Sequence, residues 1–319
     1  MLLGLETFSY HLWFSDGRMD VFGYIERCAE LGLDGVQINV NGRNFGHLGG
    51  NDPGRLREVR ELVEHHKMFI ESDSRGTDPE HLSAMLKLCE AVGADVLRTY
   101  ASCGGDLALE LAQAPKHLRE MAPMCADLGI HIGIENHEYE TSAEILEIVR
   151  RVDSEWVGTH VDTGNSMMAW EDPVAATAAL APYAVSSHFK DHIVIVEDEP
   201  LVVGVTVGTG SIDCAECFRL LAEQSPLVRL ITEVCYGYSA PFGRPQEQGG
   251  GGRLGEGVFR PVDGPHELSA VLLSSRPVPP EEMHQVLARQ DRSVVESVEF
   301  VKGLARTHTP CARESSARD

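Results

Sequence analysis

Four polar residues lie at the ends of apolar segments in the second half of the sequence. They are Glu135, Asp162, His188 and Glu233, and each ends a short run of residues that favour β-strands. Charged side chains inside apolar segments are costly unless they are paired or bind a metal ion. Three carboxylates and one imidazole form a mostly hard-oxygen ligand set, which suits Mn²⁺ or Mg²⁺ and tolerates Co²⁺ or Zn²⁺. The pattern predicts a divalent metal site, with Mn²⁺ preferred; the alternative is four separate buried residues with local hydrogen bonds.

Two further residues share a face with these candidate ligands. His137 is two residues after Glu135 and Lys190 is two residues after His188, so strand alternation points each pair into the same space. A neutral imidazole beside a metal ion is a suitable acid or base, so His137 is a candidate catalytic residue. Lys190 could hold an oxyanion or a substrate hydroxyl. The alternatives are a supporting or core histidine and a structural salt bridge.

Additional polar residues lie near other predicted strand ends. His160, two residues before Asp162, lies deeper in its strand and is predicted to be a hydrogen-bonded core residue. By position alone, the residues that close strands one and four are candidates for substrate contact, namely Tyr10, His11, Arg98 and Tyr100.

The elements that must position these residues repeat eight times along the chain. Each repeat is a short apolar run rich in β-formers, a loop and an amphipathic helical stretch. The predicted strands are Leu2–Ser9, Gly35–Val40, Met68–Ser72, Val96–Tyr100, His131–His137, Gly158–Asp162, Val185–Lys190 and Leu230–Cys235. Their centres are roughly 26 to 44 residues apart, the size of one βα unit. No early strand precedes a phosphate- or dinucleotide-binding glycine loop, so the regularity favours a closed (β/α)8 barrel (TIM barrel) of the α/β class over an open sheet.

The pattern predicts a single domain over residues 1–306 with a long insertion after the eighth strand. The insertion covers residues 239–280, is rich in Gly and Pro, and is interpreted as a lid or partner surface or as a passive loop. A final helix is predicted over residues 279–304, followed by a disordered tail over residues 307–319. Predicted helices in the barrel include Asp20–Leu31, Pro53–His66 and Asp78–Val92, and Thr141 with Glu144 forms a capping box.

The composition excludes several classes of partner. Of the 319 residues, 49 are acidic and 27 are Lys or Arg, which gives a net charge of −22. This charge argues against nucleic acid and anionic membranes as partners. No apolar run approaches the roughly 18 residues of a membrane span. Eight scattered Cys and the lack of a signal-like start predict a cytoplasmic protein.

The four strand-end motifs resemble those of the sugar isomerase/epimerase superfamily of xylose-isomerase-like barrels. They read Ile-Glu135-Asn-His, Val-Asp162-Thr-Gly-Asn, Ser-His188-Phe-Lys-Asp and Thr-Glu233-Val. The resemblance covers roughly residues 1–238 and implies a shared metal set on strands five to eight. It also implies that a proton is removed next to a carbonyl through a metal-stabilised enediolate. In the ketose epimerases the two metal-bound glutamates are the bases, which implies this role for Glu135 and Glu233.

Two positions depart from relatives in this superfamily. Endonucleases with this fold and ketose 3-epimerases tend to have His three residues after the strand-six Asp, where this chain has Asn165. The epimerases also tend to have Arg six residues after the strand-seven His, where this chain has Val194. These departures argue against DNA repair and against simple 3-epimerisation of a free ketose.

Two other features resemble the catalytic subunit of C-glycoside deglycosidases. They are the Glu-x-His pair formed by Glu135 and His137 and the long Gly/Pro-rich insertion after strand eight. That resemblance implies a 3-oxo-glycoside substrate, elimination of the aglycone and a small β subunit as partner. The alternatives are an isomerase or epimerase of another keto-sugar, a dehydratase or decarboxylase, and a non-catalytic sugar-binding barrel. A sugar or glycoside is the expected small-molecule partner, and a homo-oligomer remains open.

Overall fold

The computed structural model of the chain describes residues 1–196, 198–263 and 278–308. The strands are β1 (Leu2–Glu6), β2 (Gly35–Asn39), β3 (Phe69–Asp73), β4 (Val96–Thr99), β5 (His131–Glu135), β6 (Val157–Asp162), β7 (Ala184–Phe189), β8 (Asp191–Val196), β9 (Pro200–Val205), β10 (Arg229–Thr232) and β11 (Ser239–Pro241). Eight of them form a closed parallel barrel in the order β1-β10-β7-β6-β5-β4-β3-β2. The predicted (β/α)8 barrel is confirmed.

Helices surround this barrel, and seven of those described begin at a residue whose side chain accepts a hydrogen bond from the first turn. They are α1 (His11–Ser15), α2 (Val21–Glu30), α3 (Pro53–His65), α4 (Pro79–Val92), α5 (Leu107–Leu128), α6 (Ser142–Val152), α7 (Asn165–Met168), α8 (Pro173–Leu180), α9 (Cys214–Gln224) and α10 (Met283–His308). The predicted capping box is present: Thr141 accepts from Glu144 N, and the Glu144 carboxylate accepts from Thr141 N. No helix in the described ranges combines the length and apolar character needed to cross a membrane.

Several barrel strands are shorter than predicted. The first ends at Glu6 instead of Ser9, because Thr7–Tyr10 turns into a 3-10 helix whose first turn is capped by the Glu6 carboxylate. The fifth ends at Glu135 instead of His137. The residues after each strand end therefore leave the barrel wall and turn over its mouth.

A small antiparallel sheet has two strands between the seventh and eighth barrel strands and a third after the eighth, and the sequence analysis missed it. Its order is β11-β9-β8, and β8 pairs with β9 from Asp191 opposite Val205 to Val196 opposite Pro200. The Asp191 carboxylate anchors it by accepting from the backbone N–H groups of Gly208 and Gly210 at 3.0 and 2.7 Å. The sequence contained one indication of this sheet. The predicted seventh and eighth strands are roughly 44 residues apart, against about 30 for the other strands.

The described part of the insertion, residues 239–263, packs closely on the barrel. Trp170 stacks on Phe242 with ring centroids 3.6 Å apart. A Cβ added at Gly249 would lie 2.5 Å from the Ala169 carbonyl oxygen, and one at Gly252 would lie 2.3 Å from the Phe259 ring. The glycines are therefore needed for close approach. The rest of the predicted insertion, residues 264–277, lies outside the described residues.

The final helix, α10, runs from Met283 to His308, a few residues later at both ends than predicted. It docks on the first βα loop, where Tyr10 Oη donates to Asp291 at 2.6 Å and Trp13 Nε1 donates to the Leu287 carbonyl at 3.0 Å. Residues 307 and 308, predicted as tail, belong to this helix, and residues 309–319 lie outside the described part of the chain.

Candidate active site

The four predicted metal ligands meet at the C-terminal mouth of the barrel. His188 Nδ1 lies 3.1 Å from Glu135 Oε1, 3.1 Å from Glu233 Oε2 and 3.6 Å from Asp162 Oδ2. Parallel register places them together, because Asp162 on β6 is directly opposite His188 on β7. Glu233 follows β10 immediately. All four side chains are at least nine-tenths buried.

A chain of polar side chains inside the barrel orients His188. Its Nε2 donates to Gln37 Oε1, since Gln37 Nε2 donates in turn to Glu71 at 2.9 Å. Arg229 Nε completes the chain by donating to Glu71 at 2.6 Å. Because the Nε2 proton of His188 is donated to Gln37, the other ring nitrogen, Nδ1, is the one that faces the three carboxylates. This is how metal-binding histidines are usually supported by a second hydrogen-bond partner.

The buried cluster could hold a metal ion. Two overlapping triads have the required proximity, Glu135–His160–His188 and Asp162–His188–Glu233. Asp162 Oδ2 and Glu233 Oε2 are buried and accept no hydrogen bond of regular geometry from the described residues. The ammonium beside them, that of Lys190, leaves these two carboxylates with a net negative charge, which a bound cation would balance. Glu135 is already paired through its Oε2 with the Arg98 guanidinium, so the second triad has the larger unbalanced charge.

Lys190 lies against two of the candidate ligands. Its Nζ is 2.8 Å from Asp162 Oδ2 and 2.5 Å from Glu233 Oε2, and it donates to Asn165 Oδ1 at 3.3 Å. Burial lowers the pKa of Lys190, but Asp162, Cys235 and Glu233 together raise it well above its usual value. The ammonium therefore stays charged. The salt bridge, the alternative interpretation of Lys190, is present, and Lys190 also lines the cavity described next.

A cavity of about 250 Å³ opens above the cluster. Its polar lining includes Asp73, Arg98, Tyr100, His137, Glu138, Asn165, Lys190, His192, Glu233 and Tyr238. His137 stacks on Tyr100 with centroids 3.9 Å apart, and its Nδ1 has no hydrogen-bond partner among the described residues. Burial lowers the pKa of His137 well below its usual value, and the cations Arg98 and Lys190 lower it further. The cavity is therefore lined by a neutral imidazole beside a charged lysine.

The sequence analysis missed the polar residues that end the first three barrel strands. They are Glu6, Asn39 and Asp73, and with Arg98 on β4 they continue the ring of polar strand ends. Asn39 Nδ2 donates to Asp73 at 2.8 Å, and Arg98 pairs with Asp73 as well as with Glu135. Searching the first three apolar runs for embedded polar residues, as for the last four, would have found Glu6, Asn39 and Asp73.

Three other candidates, Tyr10, His11 and His160, do not have the contacts that the sequence predicted. Tyr10 points away from the cavity towards Asp291, and His11 bonds to the Tyr236 carbonyl at 2.9 Å. Neither lines the cavity over the cluster. His160 is fully buried, as expected for a core residue, but both its nitrogens lack hydrogen-bond partners in the described ranges.

Comparisons with known proteins agree with this geometry. The sequence model of the family described as "Xylose isomerase-like TIM barrel" matches residues 25–248. The chain is 25% identical over 221 residues to the 3-oxo-isoapionate decarboxylase of Pectobacterium atrosepticum, which covers 67% of this chain and 78% of that protein. It is 24% identical over 196 residues to the uncharacterised protein YihM of Escherichia coli K12, covering 61% of this chain and only 60% of that protein.

A solved structure extends the likeness to nearly the whole chain. The crystal structure of a D-psicose 3-epimerase in the presence of D-fructose superposes with a TM-score of 0.64 at 16% identity. The superposition covers 95% of this chain and 99% of the epimerase. At this identity the likeness concerns the fold.

Proposed function

We propose, given that the chain belongs to the xylose isomerase-like TIM barrel family, that it is a divalent-metal-dependent enzyme of the isomerase/epimerase type. Its substrate would be an unphosphorylated sugar or keto-sugar derivative from which a proton is removed next to a carbonyl. One observation carries the proposal: three carboxylates from neighbouring strands converge within 3.6 Å of His188 Nδ1 under a cavity lined by a neutral histidine.

The metal would be held by Glu135, Asp162, His188 and Glu233. This mostly carboxylate set suits Mn²⁺, with Mg²⁺, Co²⁺ or Zn²⁺ as alternatives. When bound, the ion supplies a Lewis acid that stabilises negative charge on substrate oxygens. The buried carboxylates of Asp162 and Glu233, with Lys190 as the fixed cation beside them, suit this role because they carry more negative charge than one ammonium balances.

The chain's own residues would handle the proton. His137 is neutral, lines the cavity and has a free Nδ1, so it can accept the proton from the carbon next to the carbonyl. The Tyr100 ring fixes the plane of the imidazole by stacking on it. The Lys190 ammonium can hold a substrate oxygen that becomes negative, and Glu135 and Glu233 are the alternative bases.

Decarboxylation of a keto-acid sugar is the second candidate reaction, because the relative from Pectobacterium atrosepticum bears that activity in its name. Loss of CO2 next to a ketone leaves the same kind of carbanion as proton removal, and the Lys190 ammonium can stabilise the enolate oxygen that takes up its charge. A lyase that cleaves 3-oxo-C-glycosides is a third candidate, supported by the described part of the insertion, residues 239–263, which packs on the loop that follows the Glu135–His137 pair. In that case a small β subunit is the expected partner.

Hydrogen exchange tests the proposal directly. The protein, loaded with Mn²⁺, is incubated in D2O with D-fructose, a 3-oxo-glucoside and a 3-oxo sugar acid, and deuterium incorporation is followed by NMR. We expect deuterium at the carbon next to the carbonyl of at least one compound in the wild type, and none with His137→Ala, which keeps its metal. The products then separate the reactions: an isomeric sugar, CO2 or a released aglycone.

One result would reject the proposal, and another would reject only the assignment of His137 as the base. Binding of these compounds without exchange or product at any pH would identify a non-catalytic sugar-binding barrel. Exchange that persists at the wild-type rate in His137→Ala would retain the enzyme but move the base to Glu135 or Glu233.

A further inference from the structure

Glu138 has an unusual backbone conformation at the edge of the cavity. Its φ is +51°, in the left-handed region that residues other than Gly, Asn and Asp rarely adopt. In an extended segment, consecutive side chains point to opposite faces. Here the chain turns after β5, and both His137 and Glu138 line the same cavity. The strained residue thus brings a second ionisable side chain to the site, and such strain clusters at functional positions.

Residues from beyond β10 hold Glu138 in this conformation. The Tyr238 hydroxyl donates to Glu138 Oε1, and both side chains line the cavity. Gly243 packs on the Glu138 carbonyl so closely that an added Cβ would lie 2.2 Å from its oxygen. Arg244 donates to the next carbonyl, that of Tyr139, at 2.9 Å and pairs with Glu144 at 2.7 Å. The start of the insertion therefore fixes where the Glu138 carboxyl lies.

We propose that Glu138, held by Tyr238, is the catalytic acid that returns a proton to the reacting molecule after His137 has removed one. This inference rests on the proposed function of the same site. In the step, the O–H bond of the Glu138 carboxylic acid breaks and its proton forms a new bond to a carbon or a leaving oxygen of the intermediate. The new bond uses an electron pair of the intermediate, while the electron pair of the O–H bond stays on Glu138 as a carboxylate. Solvent then restores the proton of Glu138 and takes up the proton that His137 removed.

The surroundings of Glu138 suit an acid. Burial raises the pKa of Glu138, against the effect of the Tyr238 hydrogen bond and the Lys190 charge, so its carboxyl keeps a proton to higher pH than an exposed glutamate. Once Glu138 is ionised, the Tyr238 hydroxyl stabilises the new charge by a hydrogen bond. The start of the insertion therefore positions the Glu138 carboxyl, which takes part in the proposed reaction.

The competing explanation is that Glu138 only anchors Tyr238 and the insertion. Glu138→Gln separates the two, because the amide oxygen can still accept from Tyr238 while the amide transfers no proton. We expect this variant to lose about 100-fold or more in product formation, the typical contribution of a general acid. Its Mn²⁺ content, melting temperature and KM should stay close to wild type. Deuterium exchange by His137 should continue at no less than half the wild-type rate.

Two further variants complete the test. Tyr238→Phe should reduce product formation about tenfold in the wild type and have no further effect in Glu138→Gln, since the two residues act as a unit. Glu147→Gln, the same chemical change on an exposed position of α6, is the matched control and should behave as wild type.

Failure of the inference about Glu138 can be distinguished from failure of the proposed function. Product formation within threefold of wild type in Glu138→Gln would overturn the inference, as would an equal fall in exchange and product formation. A lower melting temperature with normal turnover per folded molecule would show that Glu138 is an anchor alone. Absence of exchange in the wild type would instead reject the proposed function, and the inference with it.

Discussion

The floor of the candidate site and the roof above it are held together by different interactions. The floor consists of the four strand-end residues Glu135, Asp162, His188 and Glu233, whose places follow from parallel strand pairing. The roof consists of the sheet β8-β9-β11 and residues 239–263, which are held by contacts between side chains and backbone and by glycines without room for a Cβ. The floor contains the charged candidate ligands, whereas the roof determines the shape of the cavity above them. We therefore expect variants of the floor to change metal binding and variants of the roof to change stability and turnover.

The largest effect should come from removing one floor carboxylate. Asp162 Oδ2 has no regular hydrogen bond among the described residues and faces both His188 and Lys190, so Asp162→Asn removes a ligand that nothing nearby replaces. At a Mn²⁺ concentration of about 1,000 times the wild-type Kd, the ion should stabilise the wild type by about 4 kcal/mol. A loss of about 1,000-fold in affinity would reduce this gain to roughly 0.4 kcal/mol. Thermal unfolding with and without Mn²⁺ measures both values.

The exposed Asp127→Asn is the matched control for this experiment and should retain the full gain. An Asp162→Asn protein stabilised by Mn²⁺ as strongly as the wild type would remove Asp162 from the ligand set. The expectation that variants of the floor change metal binding would then be wrong for this residue.

The next largest effect concerns a buried carboxyl, that of Glu140, in the loop between β5 and α6. Glu140 Oε1 accepts from Ser102 N at 2.8 Å, while Oε2 is buried with no hydrogen-bond partner in the described ranges. Burial raises the pKa of Glu140 to about 7. Since this value exceeds the unfolded one, the stabilisation is complete below about pH 4.5 and is lost as the pH rises through 7.

Glu140→Gln should remove this pH dependence. Between pH 5 and pH 8 the wild type should lose about 2.5 kcal/mol that the variant keeps, at 1.36 kcal/mol for each pKa unit. Urea unfolding of both proteins at the two pH values, in metal-free buffer, gives the difference. If the free energies of unfolding of the two proteins changed equally with pH, ionisation of Glu140 would not destabilise the folded protein.

The contrast between floor and roof also explains what the sequence could reveal. Apolar runs of β-formers at regular spacing predict parallel strands, and the residue at the end of each strand must then face its neighbours at the mouth. Glu135, Asp162 and His188 follow from this rule alone, as Glu6 and Asp73 would have done. The periodicity carries this information because every barrel strand obeys the same geometry.

The roof follows no such rule. Nothing in the spacing of Glu138 and Tyr238, one hundred residues apart, indicates their hydrogen bond. The left-handed turn at Glu138 is equally hidden, since a glutamate is not a residue that predicts a positive φ. Tyr10 shows the same limit, because its direction depends on α10, nearly three hundred residues later. Contacts of this kind depend on the tertiary fold and on loop conformations that strand periodicity leaves open.

The smallest predicted effect tests whether roof and reaction are coupled. Gly243→Ala would place a Cβ 2.2 Å from the Glu138 carbonyl oxygen, so one of the two backbones must move. Crowding of this kind typically costs about 1–3 kcal/mol, and we expect the lower end because the contact lies at the rim. Mn²⁺ affinity should stay unchanged, since Gly243 contacts none of the floor residues, while turnover should fall several-fold as Glu138 shifts. Gly303→Ala, in the C-terminal part of α10, is the matched control and should raise stability by about 0.5–1 kcal/mol through helix propensity. If Gly243→Ala lowered Mn²⁺ affinity as much as turnover, floor and roof would be one mechanical unit, and the division argued from their different interactions would be wrong.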